Sequence, residues 1–166
     1  WSAAEALGEI GDVKALPFLV KASRDEAWGV RRAVALALGK IGGREAFLTL
    51  TELLRDENPL VRTAAAKALG LLGDEEAEAY LVQLVKDEHP QVRCEAVWAL
   101  GEVGGGRAFG LLREMVNDEG QGLHTTVGMM ARRARARIRR RLWLRKLGLG
   151  RKRENGKGKS AEGVSP

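Results

Sequence analysis

Few of the 166 side chains are of the kinds that make and break bonds, and those few are not arranged to do so. A thiol attacks as its thiolate and needs a base or a cationic neighbour to reach that state. The single cysteine, Cys94, has neither nearby in sequence, and it falls in a column expected to face solvent. With His89 and His124 as the only histidines, Cys94 cannot complete a zinc quartet, and one cysteine cannot form an intrachain disulfide. The carboxylates Asp74, Glu75, Glu76 and Glu78 are close enough for paired acid–base work. They stand at a predicted helix start, however, where acidic groups cap free amides and complement the helix dipole. Gly104, Gly105 and Gly106 lack the strand, lysine and spacing of a phosphate loop. The sequence thus offers no catalytic residue, no metal site and no cofactor site, and points away from a self-sufficient enzyme.

Positive charge is the chemistry that remains, and it is unevenly spread. Residues 1–122 carry 14 basic and 20 acidic side chains, residues 123–147 nine basic and no acidic ones, and residues 148–166 five basic and two acidic. The net +6 therefore resides at the C-terminal end. Arg132, Arg133, Arg135, Arg137, Arg139, Arg140, Arg141, Arg145 and Lys146 form a run attractive to a polyanion. Over residues 132–159 three partners compete: nucleic acid, an anionic membrane helped by Leu142, Trp143, Leu144 and Leu147, or an acidic protein surface. Nucleic acid leads, because guanidinium forks match phosphate oxygens.

The elements that position these groups follow from a repeat of 31 residues. Residues 25–42, 56–73 and 87–104 share eight of 18 columns: Asp25/Asp56/Asp87, Glu26/Glu57/Glu88, Val30/Val61/Val92, Arg31/Arg62/Arg93, Ala37/Ala68/Ala99, Leu38/Leu69/Leu100, Gly39/Gly70/Gly101 and Gly42/Gly73/Gly104. Ala6, Leu7, Gly8, Ile10 and Gly11 continue the pattern one period earlier, so the chain opens partway through a repeat and Trp1 is expected not to be the natural start.

Each repeat reads as two helices. In the first, Ala15, Leu16, Phe18 and Leu19 correspond to Ala46, Phe47 and Leu50, then to Ala77, Tyr80, Leu81 and Leu84, then to Ala108, Phe109, Leu112 and Met115, at helical spacing. In the second, Val30, Val34, Ala37, Leu38 and Ile41 recur as Val61, Ala65, Ala68, Leu69 and Leu72, and as Val92, Ala96, Ala99, Leu100 and Val103. Pro59 and Pro90 suit the first helical position, and Gly42, Gly73 and Gly104 are expected to end the second helix at positive φ. Neither helix hides its apolar stripe alone, so the hairpins must stack. The predicted fold is all-α, a right-handed solenoid of antiparallel helix pairs.

The signature Asp56, Pro59, Val61, Arg62, Ala68, Leu69, Gly70, Leu72, Gly73 resembles the short HEAT-like repeat of the phycobilisome-lyase type, over about three quarters of the chain. The resemblance implies an α-solenoid used for protein contact, with a bilin-attaching activity in only some members. It also implies a structural role for Arg31, Arg62 and Arg93, as arginines that bond neighbouring aspartates in a ladder. The first repeat departs by Trp28 in place of proline, and a fifth copy beginning at Asp118 puts Leu123-His124 where Val-Arg stood and Arg132 where Gly101 stood. One helix is therefore predicted over residues 123–147, about 37 Å long, with a seam of Val127, Met130, Ala134, Ile138 and Leu142 that caps the stack.

Residues needed in every copy serve the stack, so function belongs to exposed positions that vary. Rows on the non-core side of the second helices are Arg32, Leu36, Lys40; Thr63, Lys67, Leu71; and Cys94, Trp98, Glu102. Trp98 is read either as a contact anchor or as packing between repeats. The division expected is an array over 1–122, a degenerate repeat with basic capping helix over 123–147, and a disordered basic tail over 148–166. The leading function is a protein-binding scaffold. Polyanion binding by the basic helix is the alternative, and a bilin lyase subunit, by resemblance, the second. No apolar run reaches the ~20 residues that span a bilayer, and a reducing cytoplasm is the expected compartment.

Overall fold

The computed structural model describes residues 2–120 and 126–149, and the regular elements among them are helical. In chain order they are α1 (Ser2–Ile10), α2 (Leu16–Ala22), α3 (Trp28–Ile41), α4 (Arg44–Leu53), α5 (Pro59–Leu72), α6 (Glu78–Leu84), α7 (Pro90–Val103), α8 (Gly106–Glu114) and α9 (Val127–Lys146). The period sets the starts and stops. Pro59 and Pro90 open α5 and α7, where a missing N–H costs nothing. The Asn58 side chain accepts from the Leu60 amide at 2.9 Å, and Asp74 from the Glu76 amide at 2.9 Å. Gly42 and Gly73 close α3 and α5 at φ 75° and 67°, a region that disfavours a side chain.

The odd-numbered helices α1, α3, α5, α7 and α9 form one row, each packed along its length against the next. Their closeness comes from one repeated pairing. A Cβ built on Gly8, Gly39 or Gly70 would lie 2.6 to 3.0 Å from the Cα of Ala37, Ala68 or Ala99 in the next repeat. Glycine against alanine lets two helix backbones nearly touch. The even-numbered helices touch one another far less. A stack whose one row is held tighter than the other must bend, so the odd-numbered row lies on the inside of the curve.

Between the rows sits one continuous core. Leu19, Leu50, Leu81 and Leu112 from the outer row meet Leu38, Leu69 and Leu100 from the inner row, all essentially without exposure. Each such side chain stabilises by about 2–3 kcal/mol relative to exposure. Phe47 meets Tyr80 edge-on at 6.1 Å, tying one outer helix to the next.

Four expectations need correction. Phe18, read as a core position of α2, is 71% exposed, because Ala15, Leu16 and Leu19 already fill the buried face of that short helix. Gly104 ends α7 in extended conformation at φ −68°, not at positive φ. Its glycine is required by space instead, since a Cβ would meet the Leu100 carbonyl oxygen at 2.5 Å and Ala108 Cβ at 2.6 Å. The last helix begins at Val127, where Thr126 Oγ1 accepts from the Met129 amide at 3.2 Å, so it is about 30 Å long. Residues 123–125 of the predicted helix lie outside the described residues, as does most of the predicted disordered tail, residues 150–166.

The fourth correction concerns register. A Cβ on Gly101 would meet Ala134, whereas the 31-residue period pairs it with residue 130. Val127, Ala131, Ala134 and Ile138 are buried at the spacing of Val92, Ala96, Ala99 and Val103. The fifth copy therefore carries four extra residues between Asp118 and Val127, and the ladder arginine's place falls to Gly128, not to His124. A side chain there has no room, because its Cβ would sit 2.4 Å from the Val116 carbonyl oxygen. Ala136, not Arg132, occupies the place of Gly101, and Arg139 replaces the terminating glycine, so α9 continues.

Candidate functional site

The repeated arginines hold the repeats to one another. Arg31 donates Nε to Asp56 Oδ2 at 2.7 Å and Nη2 to Asp56 Oδ1 at 2.9 Å. Arg62 binds Asp87 in the same way at 2.8 and 3.0 Å, and Arg93 binds Asp118 at 2.9 and 3.2 Å. Each Nη1 also donates to two carbonyl oxygens in its own repeat: Asp25 and Glu26, then Asp56 and Glu57, then Asp87 and Glu88. These guanidiniums are committed, and no anionic ligand need be invoked for them.

The acidic group is committed as well. Asp74 caps its turn, Glu76 pairs with Arg44 at 2.6 Å, Glu75 pairs with Arg145, and Glu78 accepts from the amides of Gly105 and Ala108 at 3.2 and 2.8 Å. The last contact caps α8 from the preceding repeat.

Along the inner row the nine positions singled out from sequence divide by burial. Arg32, Lys40, Lys67 and Leu71 are exposed; Leu36 and Trp98 are half-buried against the core; Thr63 donates its hydroxyl to the Pro59 carbonyl at 2.7 Å; Glu102 pairs with Arg137 at 2.7 Å. Cys94 is not in a solvent column: it is buried. Trp98 reaches across to the previous repeat, its Cζ3 standing 2.6 Å from where a Cβ on Gly70 would be. Trp98→Ala is accordingly expected to cost about 2 kcal/mol, visible as a lower thermal midpoint by circular dichroism, as the packing alternative of its two readings requires. Sequence reasoning missed Glu95, which replaces Ala33 and Ala64 in the neighbouring column; burial pushes its carboxyl above the ordinary range, against the opposing charge of Lys67.

The basic helix also divides. Arg135 stacks over Phe109 with its guanidinium carbon 4.8 Å from the ring centre, Arg137 pairs with Glu102, Arg145 with Glu75, and Arg141 donates to the carbonyls of Gly101, Glu102 and Gly104 at the end of α7. Four of the nine predicted polyanion contacts are thus engaged within the chain. Arg132, Arg133, Arg139, Arg140 and Lys146 remain exposed.

Paired helices in register, an inner row joined by glycine–alanine contacts and a ladder of arginine–aspartate rungs define an α-solenoid. The chain belongs to the HEAT repeats family, which it matches over residues 1–57 and 47–123. No functionally curated protein sequence matches it. Among solved structures it is similar to the complex of CpcE and CpcF of phycocyanin lyase from Nostoc, with 27% identity and a TM-score of 0.72 over 88% of this chain and 61% of that one. This chain therefore spans less than two thirds of the lyase chain. Human deoxyhypusine hydroxylase, at 24% identity and TM-score 0.65, shares the fold over 83% of this chain and 46% of that one. An engineered protein shares it too, at 24% identity and TM-score 0.59 over 82% and 67%.

Proposed function

We propose that the array is a non-catalytic protein-binding scaffold whose partner lies along the inner row of helices. One observation carries this reading: core columns recur from copy to copy, while the inner stripe changes, Leu36 becoming Lys67 and Lys40 becoming Leu71 one period on. A stack needs the first kind of residue everywhere; only a ligand needs the second kind to differ. Membership in a family of helical repeats agrees with it. The test is a photo-crosslinking side chain placed in the full chain at Leu71 on the inner row or at Leu48, also exposed, on the outer row. A partner protein is expected to be captured from Leu71 and not from Leu48. Equal capture from both, or capture from Leu48 alone, would remove the inner row as the binding face.

A second reading, a bilin lyase subunit, is favoured by the 27% identity with the phycocyanin lyase structure. Incubation with apo-phycocyanin and free bilin decides it. No covalent chromophore and no change in the bilin spectrum would remove this reading.

A further inference from the structure

The C-terminal end of α9 touches the stack through Arg145, which pairs with Glu75, and otherwise presents apolar side chains that the stack leaves exposed. Helices α3, α5 and α7 each run for 14 residues, whereas α9 runs for 20. Gly101 of α7 faces Ala134 of α9, so α7 ends near the level of Ala136, and Arg141 reaches back from beyond that end to its last carbonyls. Beyond Arg141 the helix runs on for about one and a half turns, roughly 8 Å, to Lys146. There Leu142, expected in the capping seam but lying past the end of α7, is 37% exposed, Trp143 59%, Leu147 51% and Leu149 69%. The tip has a defined end: Gly148 at φ 70° lets the Leu149 amide return to the Leu144 carbonyl at 2.9 Å, closing the helix. Exposed Arg139, Arg140 and Lys146 border it, and residues 123–147 contain no carboxylate.

An apolar tip bordered by more cations than carboxylates, Glu75 being already paired with Arg145, limits what can cover it. A polynucleotide would engage the cations but leave Leu142, Leu147 and Leu149 against water. An anionic bilayer surface takes both kinds of group. Its headgroups surround the tip and need no fixed geometry to meet each cation, tryptophan favours the interface, and leucines enter the acyl boundary. No helix among the described residues is long and apolar enough to cross a membrane, so such a tip dips without spanning. We propose that the α9 tip, through Leu142, Trp143, Leu147 and Leu149 with Arg139, Arg140 and Lys146, docks the array on an anionic lipid surface.

The experiment is co-sedimentation of the full chain with phosphatidylcholine vesicles, with and without about one third phosphatidylserine. Binding is expected only to the serine-lipid vesicles and should weaken with salt. Trp143→Ser with Leu147→Ser should reduce it at least about tenfold. Both side chains are exposed, so circular dichroism should show an unchanged fold. Arg139→Gln and Arg140→Gln should each reduce it about fivefold. Absence of binding to the anionic vesicles would overturn the proposal, and so would a serine double variant that binds as tightly as the parent. Tighter capture by a duplex RNA, indifferent to Trp143 and Leu147, would assign the surface to nucleic acid instead.

Discussion

Replacing Asp87 by alanine is expected to lower folding stability by about 3 kcal/mol, as much as truncating a large core side chain. The side chains of Arg62 and Asp87 are each only 11% exposed, and the bidentate bond between them joins two repeats. Removing the carboxylate strands a guanidinium where water barely reaches. Glu88, 79% exposed and 4.0 Å away, is a poor substitute. The carbonyls of Asp56 and Glu57 still accept from Arg62 but bring no opposite charge. A second contact goes as well, because Asp87 Oδ1 also accepts from the His89 amide at 2.9 Å, just before α7 begins. The paired change Arg62→Met with Asp87→Leu should cost less than Asp87→Ala alone, since it leaves no unpaired charge. Urea denaturation of the three chains decides the matter. An Asp87→Ala loss below that of the pair would mean the rung is not a buried interaction.

The same rungs set an acid limit. Burial raises the Asp87 carboxyl's pKa, but hydrogen bonds from Arg62 and the His89 amide, with the Arg62 charge, outweigh it and hold the group below the ordinary value. Asp56 is lowered against burial by Arg31 and the Asn58 amide, and Asp118 foremost by its hydrogen bond from Arg93. A carboxyl whose folded pKa lies below its unfolded one, about 3.9, contributes its full stability above that unfolded value. The contribution is lost as pH falls through the folded value. Stability from these rungs should therefore be level from neutrality down to about pH 5 and decline below about pH 4. Asp87→Asn should be weaker at neutral pH and show a shallower acid decline. An identical decline in both chains would show that Asp87 titrates without consequence for folding.

The repeat and its rungs were legible because they are written along one chain in one frame: an aspartate, an arginine six residues on, and the same pair 31 residues later. Contacts that break the frame were not. Extending the period into the fifth copy matched Arg132 to Gly101, although Val127, Ala131, Ala134 and Ile138 repeat the spacing of Val92, Ala96, Ala99 and Val103 and carried the true register in plain view. Once the register is right, the arginines of α9 sort by angle. Arg137, Arg141 and Arg145, four apart, run along the flank that meets the end of α7 and Glu75, while Arg132, Arg133, Arg139 and Arg140 face outward. A count of charges could not separate the two sets. Nor could column arithmetic show that Cys94 is buried while its counterpart Arg32 is exposed, because a shared column fixes the angle of a side chain and not its length or reach.

The glycine of each Ala-Leu-Gly motif recurs as Gly39, Gly70 and Gly101, and the position of the first gives a prediction in which two rules oppose one another. Gly39 lies inside α3. In an isolated helix, alanine there would stabilise by about 1 kcal/mol. In the stack its Cβ would lie 2.7 Å from Ala68 Cβ and 3.0 Å from Ala68 Cα, where carbon atoms prefer about 3.5–4.0 Å. Helices α3 and α5 would have to part by about 1 Å, loosening Leu38 and Leu69, which have no exposure at all. Overpacking of this kind costs about 1–3 kcal/mol, so the steric cost should prevail and Gly39→Ala should destabilise. Gly39→Leu should lose more than about 3 kcal/mol. Because each repeat leans mainly on its neighbours, that variant should also detach α1–α3 from the remainder and unfold in two steps. Gly29, in the first turn of the same helix, has nothing within 4 Å of its would-be Cβ, so Gly29→Ala should follow helix propensity and stabilise. Moving the methyl across the interface, Gly39→Ala with Ala68→Gly, should recover part of the loss, since only the approach to the backbone at residue 68 remains. Thermal and urea melts followed by circular dichroism read all four. If Gly39→Ala proved as stable as the parent, the inner row would not be held by direct backbone approach, and the curvature inferred from that approach would lose its cause.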